Sequence, residues 1–318
     1  MNSIEVINLT KKFGAFTAVN SINFKVAPGE IFGFLGANGA GKSTTIRMLC
    51  GILAPTSGDA FIGGINVIKN PNAVKKNIGY MSQKFSLYND LTVEENIFFF
   101  GGIYGLNGPE LKERMRWILK IANLNGKENL LTGSLPGGIK QRLALGTAVI
   151  HNPGIVFLDE PTSGVDPISR RNFWELISDL SGKGTTVLVT THYLEEAEYC
   201  NNIIMIDGGS IIAEGSPKFL KEKYIRNTIL EIESEKPVDA IEILEREPFV
   251  EEASVFGNNI HLSVNEKYDS PQTIRNLLEN NYSINIKKIN VISPSLEDVF
   301  LTLLEKNKSG VIANQGNN

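Results

Sequence analysis

At 318 residues, 42% hydrophobic and 21% charged, the chain is long for one ordinary domain and too apolar for a disordered one, so a main globular domain with a smaller appended one is expected. Its 31 basic residues are scattered among 35 acidic ones for a formal net charge of -4, which argues against a nucleic-acid partner. Cys50 and Cys200, the only cysteines, lack zinc-site or redox-pair spacing and are expected in the core of a protein from a reducing compartment.

The opening MNSIEVINLTKKFG carries no apolar run with a cleavage site, and a cytoplasmic location is expected. No window approaches the roughly 18 apolar residues of a spanning helix. The best, NIFFFGGIYGL from Asn96, is too short, so any membrane role needs partners.

Short runs bounded by Gly, Pro or Asp read as strands: IEVINLT from Ile4, INFKV from Ile22, IFGFLG from Ile31 and DAFIGG from Asp59. Between the last two, TTIRMLCGIL from Thr44 to Leu53 reads as a helix ended by Pro55. From about 90 to 148 the pattern turns helical, with Leu111, Met115, Ile118, Leu119 and Ala122 on one face. Alternation resumes with GIVFLDE from Gly154, a helix around Arg170 to Leu180, TTVLVTT from Thr185, a helix at YLEEAEYC, then IIMID and SIIAEG, as a parallel α/β core requires.

Past KEKYIR, read as a solvated helix end, TILEIES, EEASVFG, NIHLSVN and INIKKINVIS read as strands with helices at PVDAIEILER and PQTIRNLLEN, closed by SLEDVFLTLLEK. That order suits a small α+β sandwich of ferredoxin-like type. The expected domains are 1–225, with the helical insert inside it, 226–306, and a disordered tail over 307–318.

GANGAGKST, from Gly36 through Ala37, Asn38, Gly39, Ala40, Gly41, Lys42 and Ser43 to Thr44, follows an apolar strand and precedes a helix, the setting of a phosphate-binding loop. Gly39 and Gly41 let backbone amides wrap a phosphate, the helix start adds positive potential, and Lys42 supplies a point charge. Ser43 can place its hydroxyl on Mg²⁺. Asp159 and Glu160 end an apolar strand at the carboxyl edge where open α/β sheets bind ligands. Asp159 suits Mg²⁺ held through water, and Glu160 suits a general base for the attacking water. His192 ends TTVLVTT at the same edge and can donate to a γ-phosphate. His151 and His261 lack such a setting and are read as structural.

With these motifs in this order, residues 1 to about 225 resemble the ATP-binding-cassette ATPases. Further matches are YMSQ with Gln83 (the glutamine loop), SLPGGIKQR from Ser134 (the signature) and SGVDP with Asp166 (the D-loop). The resemblance implies a phosphate-loop NTPase core with an antiparallel β subdomain and a helical insert, ATP and Mg²⁺ as ligands, and hydrolysis of ATP. It gives Phe13 the adenine-stacking position with Val19 beside it, adds Gln83 to the metal ligands, and makes His192 the switch histidine. Such cassettes sandwich ATP between two copies, so a chain with one phosphate loop must pair, as a homodimer or heterodimer, presenting Gly137 and Gly138 to the partner's γ-phosphate. Pro136 stands where the family usually has serine, so this signature offers no hydroxyl.

The C-terminal module ending in SLEDVFL resembles that of bacterial exporters of the daunorubicin-resistance and sodium-extrusion type, and is read as regulatory or dimer-supporting. The resemblance implies an ATPase at the inner face of the cell membrane driving export by separate integral membrane permease subunits, with Phe85, Leu87, Tyr88 and Leu91 as docking candidates. The alternative is a soluble cassette acting on ribosomes or nucleic acid, whose members typically carry two cassettes or long coiled coils. A kinase-like phosphate-loop enzyme leaves LPGGIKQR unexplained.

Overall fold

The computed structural model describes residues 2–83, 87–225, 227–256, 259–265 and 270–308. Phe85 and the tail from 309 onward lie outside the described residues. The chain divides into two compact units, 1–217 and 218–318, a division ahead of the residue 225 expected from sequence.

In the first unit β1 (Ile4–Phe13) and β2 (Phe16–Val26) form a long hairpin, followed by β3 (Ile31–Leu35) and α1 (Lys42–Leu49). Next come β4 (Ser57–Ile62), β5 (Ile65–Asn66), α2 (Pro71–Asn77) and β6 (Ile78–Met81). The helical insert is α3 (Val93–Ile103), α4 (Gly108–Ile121) and α5 (Gly137–Ala148). After it run β7 (Ile155–Asp159), α6 (Pro167–Gly182), β8 (Thr186–Thr191), β9 (Asn202–Asp207) and β10 (Ser210–Gly215), and α7 (Pro217–Tyr224) then carries the chain across the division into the second unit.

Two sheets result: antiparallel β2-β1-β4-β5, and β10-β9-β3-β8-β7-β6, parallel except for β10, which returns antiparallel along β9 instead of continuing the parallel core. Every residue of β3, β7 and β8 is buried, as strands covered on both faces must be. Phe24, Phe32 and Phe34 help fill the core between the two sheets, with Phe24 and Phe32 stacked at 5.6 Å. In α4 Leu111, Ile118 and Leu119 are buried as their spacing predicts.

α1 is shorter than expected. It stops at Leu49 because Gly51 turns left-handed (φ 65) and the amides of Ile52 and Leu53 fold back onto the Arg47 carbonyl at 2.9 and 3.0 Å. YLEEAEYC forms a 3-10 turn, Leu194–Tyr199, not an α-helix.

The second unit contains β11 (Thr228–Ser234), α8 (Pro237–Leu244), β12 (Val250–Phe256), β13 (Asn259–Val264), α9 (Pro271–Asn276), β14 (Ile286–Ile292) and α10 (Leu296–Lys308). Its sheet order, β12-β13-β11-β14, all antiparallel, is that of the ferredoxin-like sandwich. Leu230, Ile232, Ile260, Leu262 and Val264 form one core with Ala240, Leu244, Ile274 and Leu278. His261 alternates with Ile260 and Leu262 and so points to the opposite face. There its Nδ1 meets Asp298 Oδ1 of α10 at 3.0 Å, while Asp298 Oδ2 accepts from the Ser295 amide and hydroxyl, each at 2.7 Å.

Candidate functional site

The loop between β3 and α1 reverses sharply over its glycines. Gly41 sits at φ 107, and a Cβ there would lie 2.5 Å from the Ala18 carbonyl oxygen, so only glycine fits. The turn brings the start of α1, with no acidic residue in its first turn, to the carboxyl edge of the sheet. Ala37, Asn38 and Gly39 are exposed, whereas Ala40, Gly41 and Lys42 are buried. Lys42 Nζ donates to the Gly36 and Ala37 carbonyls at 2.8 and 3.0 Å and lies 3.5 Å from Glu160 Oε1. Burial pulls this ammonium below its ordinary value, against the raising influence of Glu160 and Asp159.

β7 ends in the fully buried Asp159, whose Oδ1 accepts from the hydroxyls of Ser43 (2.9 Å) and Thr190 (2.8 Å). Oδ2 is buried with no hydrogen-bond partner among the described residues. An ionised carboxylate oxygen in that state is costly, and beside the Ser43 hydroxyl it suits a hard cation such as Mg²⁺. The next residue, Glu160, takes a left-handed φ of 48, pinned by its amide, which donates to the Thr190 hydroxyl and carbonyl at 2.9 and 3.2 Å. That turn keeps two consecutive carboxylates at one edge, where strand geometry would send them to opposite faces. Gln83 Nε2 donates to Glu160 Oε2 at 2.9 Å, and His192 Nδ1 lies 3.3 Å from the same oxygen, near but not aligned for a hydrogen bond. Lys42, Gln83 and His192 thus meet on one carboxylate that is 6% exposed.

The remaining expected residues lie around the phosphate loop or farther off in the unit. Phe13 is half-exposed at the tip of the β1–β2 hairpin, with Lys11 Nζ 5.1 Å from its ring centroid. Val19 is fully buried and backs Gly41. Pro136 and Gly137 are exposed at the start of α5, and Gly138 is buried. A Cβ on Gly138 would come within 2.4 Å of the Ser169 side chain, so α5 and α6 begin side by side. Asp166 caps α6, accepting from the Ser169 amide at 2.9 Å. Thr44 is half-buried in the first turn of α1.

Thr190 went unread in the sequence. Its signal is a polar residue directly after the apolar run VLV in a fully buried strand, a place that demands hydrogen-bond partners.

Residues 19–163 match the ABC transporter family, and residues 215–304 match the C-terminal domain of DrrA1-3-like ATP-binding proteins. A probable multidrug ABC transporter ATP-binding protein of Escherichia coli is 51% identical over 218 residues, 69% of this chain and 38% of that protein. The match therefore spans well under half the length of that relative. A Nod factor export ATP-binding protein I of Rhizobium is 36% identical over 95% of this chain and 96% of its own length. Among solved structures, an ATP-binding cassette in a dimeric post-hydrolysis state bound to ADP and Pi is 28% identical with a TM-score of 0.62, covering 67% of this chain and 98% of that one.

Proposed function

This chain belongs to the ABC transporter ATP-binding proteins, and from that premise we propose that it hydrolyses Mg-ATP to drive export through separate membrane-spanning subunits. The observation that supports the reading most is the meeting of Lys42, Gln83 and His192 on buried Glu160, beside an Asp159 oxygen without a hydrogen-bond partner among the described residues. The amides of the 36–44 loop and Lys42 hold the phosphates. Ser43, Asp159 and Gln83 are the residues to hold Mg²⁺, which when bound neutralises charge on the phosphate oxygens. Glu160 takes a proton from the attacking water as its oxygen bonds to the γ-phosphorus and ADP leaves, a general-base contribution of about 10²- to 10⁴-fold. His192 donates to the γ-phosphate oxygens, and Phe13 stacks on adenine.

The starts of α5 and α6, with Pro136, Gly137 and Asp166 exposed and Gly138 buried beside them, face a second cassette, identical or different. Among the described residues no helix is long and apolar enough to cross a membrane. Coupling therefore runs through a permease docked on the insert. Tyr88, Phe98 and Phe99 are exposed there, the rings of Tyr88 and Phe99 4.9 Å apart. Leu87, 5% exposed, belongs to the core instead.

Glu160→Gln tests the chemistry: ATP binding is expected to persist, turnover to fall about 10²-fold or more, and ATP to hold a dimer. Undiminished turnover refutes the assignment. Co-purification with a multi-span membrane protein, and ATP-dependent export by the reconstituted pair, tests the coupling. Salt-sensitive association with ribosomes points instead to the soluble alternative.

A further inference from the structure

Glu196 has no part in the chemistry above, yet it is 1% exposed, while Glu195 and Glu198 in the same 3-10 turn face solvent. Its Oε1 accepts from the Thr162 hydroxyl at 2.5 Å and its Oε2 from the Thr191 hydroxyl at 2.6 Å. Arg170 Nε of α6 lies 3.2 Å from Oε1. The Arg170 guanidinium stands 4.1 Å over the ring of Tyr193, whose ring is 4.1 Å from that of His192. A buried carboxylate costs several kcal/mol unless compensated, and here two hydroxyls and a guanidinium compensate it.

The placement of those hydroxyls is informative. Thr162 lies in the loop that leaves Glu160, and Thr191 is the last residue of β8, directly before His192. Thr191 Oγ1 also accepts the Tyr193 amide at 3.0 Å, which fixes the turn on the far side of His192. One carboxylate therefore cross-links the two segments carrying the water-activating and phosphate-sensing side chains. Arg170 extends the link to α6, the helix capped by Asp166.

We propose that Glu196 is a positioning residue for ATP hydrolysis, holding Thr162 and Thr191 so that Glu160 and His192 keep their 3.3 Å separation. This rests on the hydrolytic reading above. Misplacing a reacting group by about 1 Å costs up to about 10²-fold in rate, so a loosened cross-link acts on turnover more than on binding.

The test measures steady-state ATPase kinetics on the full chain. Glu196→Ala is expected to lower kcat about tenfold while KM for ATP stays within about twofold. The Thr162→Val/Thr191→Val pair, close in shape to the native residues, should reproduce most of that loss. In that background Glu196→Ala should add little, whereas with both threonines in place Glu196→Gln should lose less rate than Glu196→Ala, because its amide oxygen still accepts one hydroxyl. If Glu196→Ala does not fold, the double valine variant alone decides. Wild-type kcat in the double valine variant, or losses that simply add, overturns the proposal. A parallel loss of ATP affinity and turnover in either variant does the same. The hydrolytic reading fails separately, if wild-type protein does not turn over Mg-ATP or if Glu160→Gln retains full turnover.

Discussion

In the first unit Lys42, Asp159 and Glu160 are buried at the carboxyl edge of a parallel sheet, and in the second His261 and Asp298 are buried on the outer face of an antiparallel one. Both sets are charged or titratable, but they are satisfied differently. Asp298 has both oxygens engaged, by His261 and by the start of its own helix. Asp159 keeps one oxygen open, and Glu160 is approached by side chains from the phosphate loop, the segment after β6 and the end of β8. A closed polar pair anchors structure, whereas an open one at a strand edge is kept for a ligand.

The strongest attempt to break that contrast is Lys42→Ala. It should reduce ATP turnover by about 10²-fold or more while leaving urea unfolding of the second unit unchanged. Asp298→Ala is the converse, since removing one member of a buried pair should destabilise the second unit by about 3 kcal/mol in urea unfolding. ATP binding at the 36–44 loop should survive it. The pair also predicts a pH dependence. Burial alone pushes the Asp298 carboxyl up, but hydrogen bonds from His261 and Ser295 outweigh it and hold the group below its ordinary value of 3.8. The stability it contributes is therefore complete above that value and lost as the pH falls further through the folded one. The Asp298→Ala protein should show a flatter acid limb. The smallest effect is expected at Pro136, exposed and without a capping side chain at the start of α5. Pro136→Ser should leave ATPase activity unchanged or raise it, and a loss beyond about tenfold (1.4 kcal/mol) would show that the proline ring itself matters.

What the sequence revealed follows the range of the physics involved. The phosphate loop was legible because nearly all its chemistry lies in consecutive residues, and the second unit because each strand and helix there is short and cleanly bounded. Asp159 and Glu160 were legible as a pair, but not the left-handed turn that keeps them together, since Thr190 enforces it from another strand. The end of α1 was misplaced because Gly51 turns the chain before Pro55 is reached. Glu196 looks like one carboxylate in the solvated run EEAE, and only tertiary partners on three other segments bury it.

Strand order sets a ruler for the chemistry. β8 lies between β3 and β7, so the strand feeding the lysine and the one ending in the carboxylates stand two ladder spacings apart, roughly 9.6 Å, with the histidine's strand midway. Main-chain ladders enforce that distance, so side-chain substitutions at the rim should leave the gauge intact. A single-residue slip of β8 would turn its alternating side chains over and carry Thr190 away from Asp159, disarming the whole edge at once.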